Sequence, residues 1–264
     1  MSTRTRLDEA LVARGLCETR SRAQALILAG QVLVDGRPAA KAGMAVSDDA
    51  SLQLKEAFPY ASRGALKLIE ALRRFAVPVE GRVALDAGAS TGGFTDILLR
   101  HGATRVYAVD VGYGQLAVQL REDPRVSVFE RTNIRYLRAG DLPEEISLFT
   151  LDLSFISLRL VMPAVRALRA PETDVIALVK PQFEAGRAFV SKGGVVRDPE
   201  VHRRVLKEAA GLAENLGLKA QAVCPSPILG PSGNREFLMH FGPGPGPQAG
   251  IDVDAAVEEA WRTC

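Results

Sequence analysis

Two apolar, strand-like runs of the sequence end in charged residues that could do chemistry. TLDLSFISL has Asp152 at its carboxyl edge, and ALVKPQFEAGR has Lys180 in the same place. In an open α/β sheet these edges line the crevice in which ligands bind. A lysine that ends an apolar strand is hard to explain as part of a core, whereas Asp152 could instead cap a helix or form a lone ion pair. Their positions therefore indicate a ligand-binding site at this edge of the sheet.

A glycine-rich turn precedes these residues in the chain. LDAGASTGGFTDILL, residues 85–99, has the pattern of a strand, a tight turn and a helix, but its glycines do not fit the dinucleotide spacing G-x-G-x-x-G. The next run, RVYAVD, ends at Asp110, where a carboxylate can accept both ribose hydroxyls of an adenosine. Asn133 in ERTN could face the adenine. The pattern favours an adenosine-containing ligand over NAD, and a tight turn beside a strand-end acid without any ligand is the alternative.

Alternating strands and helices must position these residues. From Arg82 onward, apolar runs alternate with helical patterns, and a long helix begins at Pro199, which is the order of a doubly wound α/β domain. Before it, the patterns predict helices at 7–13 and 20–28, a hairpin turn at Asp35-Gly36 and a strand at 51–54. Phe58-Pro59-Tyr60 ends that unit, ahead of an amphipathic segment at 63–75. The predicted domains are 1–59 and 60–245, followed at 246–264 by a linker and a short acidic tail helix of unassigned role.

Length, charge and cysteine content restrict the class of protein. The chain has 264 residues and a formal net charge of +2, so any surface that binds a polyanion must come from local clustering of basic residues. Its three cysteines form no C-x-x-C pair and its three histidines are dispersed, which argues against a disulfide framework and a metal site. The first residues lack the apolar stretch of a signal peptide, and no run approaches the roughly 20 apolar residues of a membrane span. We therefore expect a cytoplasmic protein with no bound metal and no membrane partner.

Several motifs, read together in chain order, resemble one enzyme family. They are GASTGGFTD, AVDVGYGQL, ERTN, DLSFISL, VKPQFEAGR, KGGVVRDP and GPSGNREF. Over residues 6–241 the chain resembles the TlyA (haemolysin-A-type) ribosomal RNA 2′-O-ribose methyltransferases, which belong to the FtsJ-like group. The resemblance implies a Rossmann-like α/β methyltransferase domain, S-adenosylmethionine as cofactor and a cytidine-type target. The chain departs from the family at Gly64-Ala65, where the family usually has two glycines.

The resemblance also implies the residues of the site. A catalytic tetrad maps onto Lys67, Asp152, Lys180 and Glu236. A ribose hydroxyl is a poor nucleophile, so in-line positioning at about 3 Å does most of the work. A lysine that takes the hydroxyl proton must spend time neutral; Lys67 would favour the neutral form of Lys180 by repulsion, which Asp152 and Glu236 would limit. A structural ion-pair network is the alternative interpretation. The expected cofactor-binding residues are Asp86, Gly88, Ala89, Ser90, Thr91, Gly92, Gly93, Asp110, Asn133 and Asp152.

The N-terminal segment resembles a small RNA-binding domain. RLDEALVARGLCETRSRAQALILAGQVLVDGR is similar to the ribosomal-protein S-four family, a small α+β fold. Arg20 and Arg22 open the second expected helix, where main-chain N–H groups also favour phosphate, although a solvated arginine face would look the same. The basic loop GRAFVSKGGVVRD could close over RNA or be an ordinary surface loop. The expected RNA-binding residues are Arg4, Arg6, Arg14, Arg20, Arg22, Lys41 and Arg63.

Three functions are compared on these observations. The leading hypothesis is an enzyme that methylates ribosomal RNA on a ribose 2′-hydroxyl with S-adenosylmethionine. The first alternative is an RNA-binding or ribosome-assembly protein without turnover, which only an activity measurement separates from the enzyme. The second alternative, a membrane-active haemolysin, would need an amphipathic or spanning segment that the sequence does not show. The expected partners are ribosomal RNA and ribosomal subunits, and the oligomeric state is left open.

Overall fold

The computed structural model describes residues 4–54, 58–244, 247 and 250–262, except for the side chains of residues 215 and 216. The chain divides into two units, Met1–Pro59 and Tyr60–Cys264. Part of the linker expected after the second unit's last strand, at 245–246 and 248–249, lies outside the described residues. Within the described residues, no helix has the length and apolar character needed to cross a bilayer.

The first unit combines two helices with two small sheets. Its elements are β1 (Arg4–Arg6), α1 (Leu7–Ala13), α2 (Arg20–Leu28), β2 (Val32–Val34), β3 (Arg37–Pro38), β4 (Ala45–Ser47) and β5 (Leu52–Leu54). Strand β2 pairs with β3 and β5, and β1 pairs with β4, all antiparallel. Asp35 and Gly36 join β2 to β3 with φ of 49° and 75°, the left-handed conformation that a two-residue hairpin requires. The helices and this hairpin lie where the sequence predicts them. Strands β1 and β4 escape prediction because three residues are too short for a visible alternation.

The second unit is built on a seven-stranded sheet. Its strands are β6 (Val83–Ala87), β7 (Arg105–Val109), β8 (Val126–Phe129), β9 (Ile146–Leu151), β10 (Arg169–Val179), β11 (Lys219–Pro225) and β12 (Phe237–Gly242). Their order in space is β11-β12-β10-β9-β6-β7-β8, and β12 is antiparallel to both of its neighbours while the other pairs are parallel. The doubly wound Rossmann-like order is therefore confirmed. The insertion of β12 between β10 and β11 is not visible in the sequence pattern.

Helices cover both faces of this sheet. They are α3 (Ala65–Phe75), α4 (Gly93–Arg100), α5 (Val118–Arg121), α6 (Met162–Leu168), α7 (Pro181–Glu184), α8 (Pro199–Leu212) and α9 (Val253–Arg262). Because successive strand residues point to opposite faces, Leu85 packs in the apolar layer with α6, α8 and α9, and Ala84 packs in the layer with α3 and α4. Because helices cover both faces, the crevice in which such a sheet binds ligands lies at the carboxyl ends of the strands. It lies where the strand order reverses, between β6 and β9.

Candidate active site

Four charged side chains meet at the carboxyl edge of the sheet. Asp152 follows β9, Lys180 follows β10, Glu236 precedes the antiparallel β12, and Lys67 lies in the first turn of α3. Lys67 Nζ is 2.8 Å from Glu236 Oε2 and 3.3 Å from Asp152 Oδ2. Lys180 Nζ is 2.6 Å from the other oxygen of Asp152, Oδ1. The structure thus joins the predicted tetrad into one chain of ion pairs in which Asp152 bridges the two lysines.

The environment of the tetrad fixes the charge of Lys67. Both lysines are buried, Glu236 is fully buried, and Asp152 is the most exposed of the four at 19 % of its side chain. Burial by itself lowers the pKa of Lys67, but the attraction of Asp152 and Glu236 and their hydrogen bonds outweigh burial and raise that pKa above its usual value. The two carboxylates therefore favour the ammonium form of Lys67 and set its position.

Close packing holds Glu236 in place. A Cβ atom on Gly230 would lie 2.1 Å from Glu236 Oε1, so only glycine leaves room for the carboxylate there. Gln182 Nε2 also lies 3.5 Å from the same oxygen. Asn234 donates from Nδ2 to the carbonyl of Gly194 at 2.8 Å and accepts at Oδ1 from the main-chain N–H of Val196 at 3.2 Å. These bonds connect the GNREF motif to the KGGVVRDP motif.

A cavity of about 1130 Å³ adjoins the tetrad. Five predicted cofactor-binding residues line it, namely Gly88, Ser90, Asp110, Asn133 and Asp152. Asp110 Oδ2 accepts a hydrogen bond of 2.8 Å from the main-chain N–H of Ser90, and Oδ1 accepts one of 2.7 Å from Gly112. A carboxylate accepts about four hydrogen bonds, so each oxygen retains capacity for one of two vicinal ribose hydroxyls.

The residues present fit an adenosine-containing methyl donor. Gly88 has φ of +84°, and a Cβ atom there would lie 2.4 Å from the main-chain oxygen of Asp152, so glycine is required where β6 and β9 converge beneath the cavity. Two polar atoms in the cavity wall, Arg135 Nε and Gln182 Oε1, are buried without a hydrogen-bond partner among the described residues, and a bound ligand could supply one. Asp152 belongs to both the cavity wall and the tetrad, so the cavity adjoins the carboxylate that Lys180 contacts.

Asp86, also expected to bind the cofactor, lies outside the lining of this cavity. It falls within β6, on the face covered by α3 and α4, and it is fully buried. Its two oxygens accept hydrogen bonds from the hydroxyls of Thr95, at 2.7 Å, and Thr150, at 3.0 Å. Burial raises the pKa of Asp86 to about 7, although both hydroxyls oppose that shift. Through these two hydrogen bonds Asp86 connects β6 to α4 and β9.

The adjacent glycines of the turn make room for packing. A Cβ atom on Gly92 would lie 2.2 Å from Leu120 Cδ1 of α5, and one on Gly93 would lie 2.3 Å from the Ser62 hydroxyl. Ala89 and Thr91, likewise, are outside the lining of the cavity.

Ala65, where the family usually has a second glycine, is fully buried in the layer with α3 and α4, and its methyl group packs in the core.

The basic residues of the first unit divide into two groups. Arg6 and Arg20 both bind the buried carboxylate of Asp8, at 2.9 and 3.0 Å, and the hydrogen bonds of Arg6 contribute most to holding the pKa of Asp8 well below its usual range. Arg14 donates to main-chain carbonyls, including that of Ala50, and so fastens the end of α1 to the strands. These three arginines are nonetheless exposed, as are the remaining residues predicted to bind RNA in this unit, namely Arg4, Arg22 and Lys41. Arg63, in the second unit, is exposed as well.

Sequence reasoning missed an aromatic pair and a serine in the site. Phe155 and Phe183 both line the cavity, with ring centres 5.1 Å apart, and Phe155 is 91 % exposed with φ of +62°. Ser154 accepts a hydrogen bond of 3.2 Å from Lys180 Nζ. All three residues follow or face a strand end, but an aromatic residue after a strand is usually core. Only its exposure beside charged residues makes Phe155 a candidate for substrate contact.

Known proteins resemble this chain over most of its length. Residues 60–243 match the family model of the FtsJ-like methyltransferases, and residues 5–51 match that of the S4 domain. The chain is 49% identical over 241 residues to the 16S/23S rRNA (cytidine-2′-O)-methyltransferase TlyA of Mycobacterium tuberculosis, with 90% of each chain covered. It is 47% identical over 269 residues to YqxC of Bacillus subtilis, provisionally named as an rRNA methyltransferase, with 99% of this chain and 96% of that one covered. A solved structure from Streptococcus thermophilus, provisionally named as a hemolysin, has a TM-score of 0.76 at 39% identity and covers 100% of this chain and 98% of its own.

Proposed function

Because the chain belongs to the FtsJ-like methyltransferase family, with S-adenosylmethionine as its cofactor, we propose that it methylates the ribose 2′-hydroxyl of a cytidine in ribosomal RNA. The observation that carries this proposal is the contact of the tetrad with the cavity, since Asp152 belongs to both. A site for an adenosine-type methyl donor therefore lies within reach of a lysine that can hold a hydroxyl group.

Each residue of the site has a distinct task in the proposed reaction. When bound, S-adenosylmethionine supplies an electrophilic methyl group. Asp110 would hold its ribose, and Gly88 would allow close approach of the main chain. Lys180 would orient the RNA hydroxyl for in-line attack and take its proton, which Asp152, the most exposed member of the tetrad, can pass towards solvent.

The second lysine shapes the charge around Lys180. The ion pairs with Asp152 and Glu236 favour the ammonium form of Lys67. The carboxylate of Asp152 therefore interacts with Lys67 as well as with Lys180. Lys180 therefore shares the carboxylate of Asp152 with Lys67, each lysine contacting a different oxygen. This division of one carboxylate between two lysines is the electrostatic basis of the proposed base.

The remaining parts of the proposal concern the substrate. The S4 domain at 5–51 would supply RNA affinity through its exposed residues Arg4, Arg22 and Lys41, and the unit that begins at Tyr60 would supply the chemistry. Phe155 would offer a stacking surface for the target base. With a ribosomal RNA substrate, the protein would act in the cytoplasm on a ribosomal subunit or its precursor.

Mass mapping of ribosomal RNA tests the proposal. RNA from cells that lack the protein should lack a 2′-O-methylcytidine that returns with the wild-type gene and does not return with Lys180→Ala. A methyl group on a base, or no methyl group at all, would contradict the proposed reaction. Unchanged RNA together with tight ribosome binding would favour the assembly protein without turnover.

A further inference from the structure

The C-terminal helix α9 lies outside residues 60–243, which match the methyltransferase family. It nevertheless contacts α3, which carries Lys67, and the segment before β12, which carries Glu236. Its residue Glu259 forms two hydrogen bonds with the guanidinium group of Arg74, one of them at 2.9 Å, and Arg74 belongs to α3, the helix that carries Lys67. Arg235, directly before Glu236, donates from Nε to the main-chain carbonyl of Ala260 at 2.9 Å. The last turns of α9 therefore connect the two buried partners Lys67 and Glu236 from outside the cavity.

Aromatic contacts reinforce this connection on both sides of Glu236. The guanidinium carbon of Arg235 lies 3.9 Å from the centre of the Trp261 ring, a cation–π contact. The Trp261 ring lies 6.1 Å from the ring of His202 on α8, and His202 packs edge-on against Phe237 at 5.5 Å. Arg235 and Phe237 are the chain neighbours of Glu236, so both of them are held by the Trp261–His202 pair.

Helix α9 is itself held in place by apolar packing. Val253, Ala256, Val257 and Ala260 of α9 are buried in the apolar layer, where α9 packs on α8 and β11. The carbonyl of Ala260 lies in the last turn of the described helix, where it accepts the hydrogen bond from Arg235, and the positive charge of Arg235 suits the C-terminal end of a helix. His202 Nε2 donates to the carbonyl of Val196, in the segment that Asn234 also binds.

We propose that α9 positions Glu236 and Lys67 through Trp261 and Glu259, and thereby sets the turnover of methyl transfer. The inference rests on the proposed function. Trp261 and Glu259 are positioning residues, because neither lines the cavity. Their effect passes through the 2.8 Å contact between Lys67 and Glu236. A displacement of about 1 Å in a reacting geometry can cost on the order of 10²-fold in rate, so we expect the loss of Trp261 to lower kcat roughly tenfold or more.

Steady-state kinetics of the full chain on ribosomal RNA tests this inference. Trp261→Ala and Glu259→Gln should lower kcat while KM for RNA and for S-adenosylmethionine stays within about twofold, and Trp261→Phe should restore most of kcat. Arg262→Ala is the matched control on the same helix, because Arg262 is 76 % exposed and pairs with Glu258 on the surface. Thermal unfolding identifies variants that do not fold. If Trp261→Ala is among them, Glu259→Gln decides, and wild-type kcat in that variant overturns the inference.

A double-mutant cycle separates positioning from general destabilisation. Because Trp261 acts through Glu236, Trp261→Ala should reduce kcat by no more than about twofold when it is added to Glu236→Gln. Losses that multiply, an unchanged kcat in folded Trp261→Ala, or an equal loss in Arg262→Ala would each overturn the inference. Failure of the proposed function gives a different result, since the wild-type protein would then form no 2′-O-methylribose at all.

Discussion

Replacing Asp86 by asparagine should leave cofactor affinity unchanged but alter how stability depends on pH. Asp86 is fully buried and burial raises its pKa to about 7, whereas the unfolded chain has an ordinary carboxyl value near 3.8. Between these values the folded state binds more protons than the unfolded state, so the free energy of unfolding falls as pH rises through this window. The gap of about three pH units corresponds to about 4 kcal/mol lost by about pH 8.

Urea unfolding at two pH values measures this effect. The Asp86→Asn side chain stays neutral, so the stability of the variant relative to wild type should rise by about 3 kcal/mol from about pH 5 to about pH 8. Calorimetry of both proteins should give S-adenosylmethionine affinities within about twofold, since Asp86 lies outside the lining of the cavity. A relative stability that does not change with pH would refute the buried, neutral carboxyl. A large loss of cofactor affinity would instead return Asp86 to the ligand-binding residues.

Three further predictions concern the ligands. Asp110→Ala should weaken S-adenosylmethionine binding roughly 10- to 100-fold, the worth of hydrogen bonds to a charged group, and calorimetry should detect no NAD binding. Replacing both Arg22 and Lys41 by alanine should weaken RNA binding and lower the slope of its salt dependence by about 1.5, as measured by filter binding at several salt concentrations. Unaltered slopes would remove these two residues from the RNA surface. Phe155→Ala should raise KM for RNA roughly tenfold with cofactor affinity unchanged, as expected for a lost stacking contact, and an unchanged KM would end that assignment.

The sequence predicts the strand-end residues of the site well, for a physical reason. Asp152 and Lys180 each follow a continuous apolar run, and the carboxyl ends of neighbouring parallel strands meet at one edge of the sheet. Lys67 and Glu236 could be added only by resemblance to a family. Glu236 reaches the site because β12 runs antiparallel between β10 and β11, and no local pattern encodes which strands become neighbours.

Local position within a strand separates Asp86 from Asp110. Asp110 follows the last residue of β7 and lines the cavity, whereas Asp86 lies inside β6, where its side chain points to a helix-covered face. Both are acids at the end of an apolar run, so composition alone gives them the same interpretation. The basic residues show the same limit, because Arg14, whose side chain binds main-chain carbonyls of its own unit, looks in sequence like the other arginines.

Single-turnover methylation by Lys180→Ala tests the central claim most directly. The variant should bind S-adenosylmethionine and ribosomal RNA within a few-fold of wild type, yet form 2′-O-methylribose roughly 10²-fold or more slowly, the scale of general acid–base catalysis. Lys180→Arg should not restore the rate, because a guanidinium group stays protonated in proteins. A Lys180→Ala enzyme that methylates the ribose at the wild-type rate would contradict the assignment of Lys180 as the group that orients and deprotonates the nucleophile.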